Sequence, residues 1–70
     1  MTVDVIGEAT IPLANSETLE VVTVDDPSGV YRTFLSSQGR DVPVETYASR
    51  EDAEVGQSRW FNKMLEAAWT

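Results

Sequence analysis

The segment Tyr47-Ala48-Ser49-Arg50-Glu51-Asp52-Ala53-Glu54-Val55-Gly56 constrains the fold more than any other, because it marks where extended chain must give way to helix. Ser49 followed three residues later by Asp52 reads as a capping box, in which serine and carboxylate each serve an amide at the helix start. Glu51, Asp52 and Glu54 place negative charge on the first turn, where the helix dipole favours it. Beyond the cap, Ala53, Gly56, Trp60, Met64 and Ala67 recur at helical steps, and Phe61, Leu65 and Ala68 widen the stripe. Glu54, Ser58, Arg59, Asn62, Lys63 and Glu66 fall on the opposite face. The period predicts an amphipathic helix over 50–68, about five turns long. Gly56 inside it costs about 1 kcal/mol against alanine, which predicts a close approach of the helix backbone to a strand.

Upstream of the cap the pattern is extended. Leu19 to Val24 is β-branched and short, with Leu19, Val21 and Thr23 on one face and Glu20, Val22 and Val24 on the other. Valine on both faces predicts a central strand. Asp25-Asp26-Pro27-Ser28-Gly29 is a turn, since proline presets one backbone angle and glycine accepts a positive φ. Val30 to Leu35 is a second strand, alternating Tyr31, Thr33 and Leu35 against Val30, Arg32 and Phe34. Ser36-Ser37-Gln38-Gly39 turns again, and Val42 to Tyr47 is a third strand that Pro43 confines to a sheet edge. From 1 to 15 the signal is weaker. Val3, Val5, Ile11 and Leu13 allow short strands broken at Gly7-Glu8, so the segment is either an edge hairpin or an N-terminal arm, and Pro12 excludes a central strand. The expected architecture is one small α+β domain over 1–70: an antiparallel meander of three or four strands within 19–47, packed on one face by the single C-terminal helix. Which face the helix covers is undecided by pattern.

A chain of 70 residues buries only about 60% of the surface its unfolded form exposes. Without cysteine or histidine it lacks disulfides and thiolate or imidazole zinc sites as supports. No apolar run reaches the roughly 18 residues of a membrane helix, and no signal peptide opens the chain, so a bacterial cytoplasmic or virion location is expected. Twelve acidic against five basic residues give a formal charge of −7. Nucleic acid and anionic membranes are therefore disfavoured partners, because both require clustered Lys and Arg. The acidity serves solubility, or it matches a basic partner in imitation of nucleic acid.

From Gly29 to Met64 the chain resembles small uncharacterised accessory proteins of actinobacterial phages and prophages. Their pattern is a hairpin, then a tyrosine entering a capped helix with an acid, alanine, glycine and an aromatic or aliphatic residue. Tyr47, Ser49, Glu51, Ala53, Gly56 and Trp60 match it. The histidine that members commonly carry after the glycine is Gln57 here, so no role of that histidine transfers. The resemblance implies a phage-type accessory protein with no defined activity.

Catalytic chemistry has little to build on. With neither histidine nor cysteine, no Ser-His or Cys-His pair exists, and the serines fall in turns and caps. Asp41 and Glu45 are the one carboxylate pair to consider for acid–base work, against two solvated acids flanking an edge strand. No calcium-loop spacing occurs around Asp25-Asp26, so neither metal nor cofactor is expected. The sequence points instead to a non-enzymatic module that binds another protein or copies of itself. Candidate contact residues come from both strand faces, Val22, Val24, Tyr31, Leu35 and Phe34, whichever set points away from the helix, together with Trp69, which either folds back on the sheet or anchors a partner. Ser49, Asp52, Gly56, Trp60 and Met64 are read as structural.

Overall fold

The computed structural model of the chain describes residues 4–68. Strands β1 (Asp4–Pro12), β2 (Thr18–Asp25), β3 (Tyr31–Ser37) and β4 (Arg40–Tyr47) precede one helix, α1 (Arg50–Ala68). The strands form a single antiparallel sheet of four in the order β1-β2-β3-β4, and α1 lies across one face of it. This is the α+β meander that the turn spacing and the helical period predict, with α1 occupying the expected 50–68.

Local chemistry sets each reversal. Between β2 and β3 the Ser28 N–H donates to Asp26 Oδ1 at 2.9 Å, Gly29 N–H donates to the Asp26 carbonyl at 3.0 Å, and Gly29 takes φ +93°. Between β3 and β4, Ser37 pairs with Arg40 across Gln38 and Gly39, at φ 53° and 78°. Two successive positive φ angles define a type I′ turn, whose twist matches that of the strands it joins. At the helix start the Asp52 N–H donates to Ser49 Oγ at 3.2 Å, which places Ser49 as the cap.

The N-terminal segment departs from both alternatives drawn from sequence. Residues 4–12 are one continuous strand paired along its length with β2, neither a broken hairpin nor an arm. Ile6 is the extra residue of a bulge between Val5 and Gly7. That bulge resets the alternation, so Gly7, Ala9 and Ile11 share the face of Thr23, Val21 and Leu19. Ile11 is completely buried. Both proline-bearing strands are edge strands, as a missing ladder donor requires.

The core sits between α1 and the Leu19-Val21-Thr23 face of the sheet. Ile11, Val21, Thr23, Thr33 and Ala53 have no exposed surface. Burying an aliphatic side chain of this size stabilises by about 1.5–3 kcal/mol. The helix seats on its smallest residues: Ala53 and Gly56 are buried, whereas Trp60, Phe61, Met64 and Leu65 are half-buried. Trp60 and Met64 thus line the margin of the core rather than its centre, and Ala67 and Ala68, expected in the stripe, are exposed. Gly56 has the predicted packing reason, with a different neighbour. The Tyr47 phenol, a side chain rather than strand backbone, occupies the space where a Cβ would go.

Candidate functional site

Because α1 covers the face of Leu19, Val21 and Thr23, strand alternation leaves Glu20, Val22 and Val24 of β2 on the opposite, open face. Register carries the assignment across the sheet. Val22 pairs with Phe34 and Phe34 with Pro43, Val24 pairs with Arg32 and Val5, and Glu20 pairs with Ser36, which pairs with Asp41. Val22, Val24 and Phe34 therefore form one apolar floor. Val24 retains 9% of its surface, Val22 and Phe34 are half-buried, and Val5 beside them is 53% exposed. A cleft of about 290 Å³ runs over this floor, bounded by Glu20, Asp26, Ser36 and Asp41.

Of the residues expected to meet a partner, Val22, Val24 and Phe34 are brought together. Tyr31 is not. It pairs with Asp25 and Tyr47 and shares the covered face with Thr33, so it belongs to the helix side. Trp69 lies outside the described residues. Asp41 and Glu45 also part company: Asp41 pairs with Ser36 on the open face, while Glu45 pairs with Thr33 on the covered one. The bulge at Val44 does not unite them, so the two carboxylates cannot act on one substrate atom.

The open face is unevenly charged. Arg32 Nη1 is 3.1 Å from Asp26 Oδ2. Hydrogen bonds from Ser28, backbone and side chain, hold the Asp26 carboxyl below the usual aspartate range, and the Arg32 charge adds to this. Glu8, Glu20 and Asp41 on the same face have no basic partner among the described residues.

A second cluster, legible only in three dimensions, ties α1 to the sheet. Gln57 Nε2 donates to the Val21 carbonyl at 2.8 Å, and Thr23 Oγ1 donates to Gln57 Oε1 at 2.6 Å. Thr23 and Thr33, directly opposite on β2 and β3, lie 2.7 Å apart through their hydroxyls, and Thr33 also reaches Tyr47 Oη at 3.2 Å. Since the Thr23 proton serves Gln57 and the Tyr47 proton serves Glu45, the single Thr33 proton is shared between Thr23 Oγ1 and Tyr47 Oη. Tyr47 Oη, Arg59 Nη2 and Trp60 Nε1 all donate to Glu45 Oε1, at 2.8, 2.6 and 2.9 Å. These bonds, that of Trp60 foremost, hold the Glu45 carboxyl below the usual glutamate range. Burial pushes the Tyr47 phenol above its ordinary value, and the Glu45 charge adds to it. Every member of the network has a partner, which makes it a device for fixing helix to sheet. Gln57 stands within the helical stripe, but a glutamine among apolar positions carries no signal of which strand it will meet.

Among the described residues no three acidic side chains converge as a metal ion would need, and no helix is long and apolar enough to cross a membrane. Compared with known proteins, the chain matches no family model, no curated protein and no solved structure.

Proposed function

We propose that this protein is a non-enzymatic protein–protein interaction module, a phage-type accessory or virion component that binds through its open sheet face. The observation that carries this reading is the apolar floor of Val22, Val24 and Phe34 on a surface that no element among the described residues covers. The sheet edges favour a face-on contact. β1 carries a bulge and ends at Pro12, and β4 carries Pro43 and a second bulge, features that blunt an edge against strand addition. The phage context comes from the pattern of Tyr47, Ser49, Glu51, Ala53, Gly56 and Trp60, and it goes with a location in the bacterial host cell or the virion. Those positions cap and seat the helix, so they supply context and not the contact itself.

A second reading is a small acidic inhibitor of a host or defence protein that imitates nucleic acid. Glu8, Glu20 and Asp41, which face outward together without counter-charges among the described residues, favour it.

The test combines light scattering of the purified chain with quantitative retention of host-lysate proteins, for wild type and for Phe34→Ser. Phe34 lies away from the helix, so the variant is expected to keep a cooperative melt. Assembly or protein retention that the variant loses supports the reading. Assembly and retention equal in both chains would overturn it.

A further inference from the structure

Resting on that reading of the open face, we infer that its cleft receives a lysine or arginine side chain of a basic partner protein, the cation between Glu20 and Asp41 and the methylene stem on Val22 and Phe34.

The register places Glu20, Ser36 and Asp41 side by side across β2, β3 and β4. With strands about 4.8 Å apart, Glu20 and Asp41 are about 10 Å apart at the backbone. Between them stands Ser36, whose small side chain leaves the space above it open. The next row along the strands, about 7 Å away, is Val22, Phe34 and Pro43. Carboxylates thus bracket one end of an apolar trough. This is the profile of a long cationic side chain, whose stem buries against apolar surface while its head stays charged.

Of the five lysines and arginines, Arg32 stands at the far end of the cleft, and none pairs with Glu20 or Asp41. Arg32 pairs with Asp26, Arg50 with Glu54 and Arg59 with Glu45, while Lys63 lies 4.9 Å over the Trp60 ring. Arg40 follows Ser37 in register, and alternation puts it on the face opposite Asp41.

The same charges decide against a second copy as the occupant. Each copy carries a formal charge of −7 and presents Glu8, Glu20 and Asp41 on its open face, so two such faces repel each other. Phosphate-bearing surfaces are repelled for the same reason. A basic protein surface is complementary in both charge and shape.

The experiment follows the backbone amides of the isotope-labelled full chain by NMR during titration with two short peptides, one alternating lysine with leucine and its twin alternating glutamine with leucine. The variant Glu20→Gln/Asp41→Asn changes two side chains that make no hydrogen bond or ion pair among the described residues, so it is expected to melt no lower than wild type. The lysine peptide should perturb residues 20–24, 34–36 and 41, and should bind about tenfold more weakly to the double variant or in high salt. Equal binding of the glutamine peptide, or undiminished binding of the lysine peptide to the double variant, would overturn the cationic site while leaving the face a protein-binding surface. Concentration-dependent shifts of those same residues with neither peptide bound would do likewise and would assign the face to a second copy. A face that responds to nothing at any concentration would overturn both the inference and the interaction reading beneath it.

Discussion

The Tyr47 phenol fills the place where a side chain at Gly56 would begin. One residue is the last of β4 and the other lies in the second turn of α1, so their contact sets how closely the helix can approach the sheet. The same phenol hydroxyl donates to Glu45 and accepts from Thr33, which prevents the ring from swinging aside without loss of hydrogen bonds.

Gly56→Ala tests this contact directly. Alanine gains about 1 kcal/mol of helix propensity, but overpacking a well-filled core costs about 1–3 kcal/mol, and the anchored ring puts this site at the upper end. The variant should be less stable by about 1–2 kcal/mol, which lowers the melting temperature by about 4–8 °C for each kcal/mol in a domain of this size. An unchanged or raised melting temperature in calorimetry would refute the contact.

The network makes stability depend on pH in two directions. Glu45 has a folded-state pKa below its unfolded value, because Trp60, Tyr47 and Arg59 donate to its ionised form. Its contribution is complete above the ordinary glutamate value of about 4.3 and is lost as pH falls through the depressed folded value. Glu45→Gln should therefore melt lower than wild type at neutral pH, with the gap closing in acid. Tyr47 has the opposite sign. Its raised pKa favours the neutral phenol, so its contribution is complete below about pH 10 and is lost as pH rises through the raised value. Wild type should lose stability on that alkaline limb more steeply than Tyr47→Phe, as thermal melts across the pH range would show.

Thr23 is the member of the network whose loss matters beyond its own bond. Thr23→Val keeps the shape but leaves Gln57 Oε1 without its donor beneath the helix, which costs about 1–3 kcal/mol. Thr33→Val, by contrast, removes a donor while Thr23 still serves Gln57 and Tyr47 still serves Glu45, so it should cost less. Chemical denaturation of the two variants gives the order, and a reversed order would refute the donor assignment.

Ile11 tests the integration of β1. A buried isoleucine cut to alanine costs about 2–5 kcal/mol, comparable to the roughly 3–5 kcal/mol that a core of this size supplies. Ile11→Ala should leave much of the chain unfolded at room temperature by circular dichroism. A folded variant with an intact helix signal would show the first strand to be dispensable.

The helix and its limits were legible because their signals are local. A capped start at Ser49, a stripe of period 3.6 and proline-marked edge strands each depend on neighbours within a turn or a pairing. β1 was half legible: its valines and isoleucines suggested extended chain, but the bulge at Ile6 that keeps Ile11 on the core face left no mark in the alternation before pairing. The candidate site was legible as a list and not as a surface. Val22, Val24 and Phe34 were identified together with Tyr31, which the register then placed on the other side.

The amino-acid sequence by itself determined the order of the three strands and the helix after residue 18, their meander, the edge position of the Pro43 strand and the start and length of the helix. Each of these follows from backbone chemistry and periodicity over a few residues. Only the tertiary structure decided which sheet face the helix would cover, since β2 carries valines on both sides and either could form a core. The deciding contacts join residues far apart in the chain: Gly56 to Tyr47, Gln57 to Thr23 and Val21, and Trp60 to Glu45. A helix that seats on glycine and alanine needs a strand face that offers hydroxyls and one aromatic ring. The face of Thr23, Thr33 and Tyr47 offers them, and Val22, Val24 and Phe34 are left facing outward.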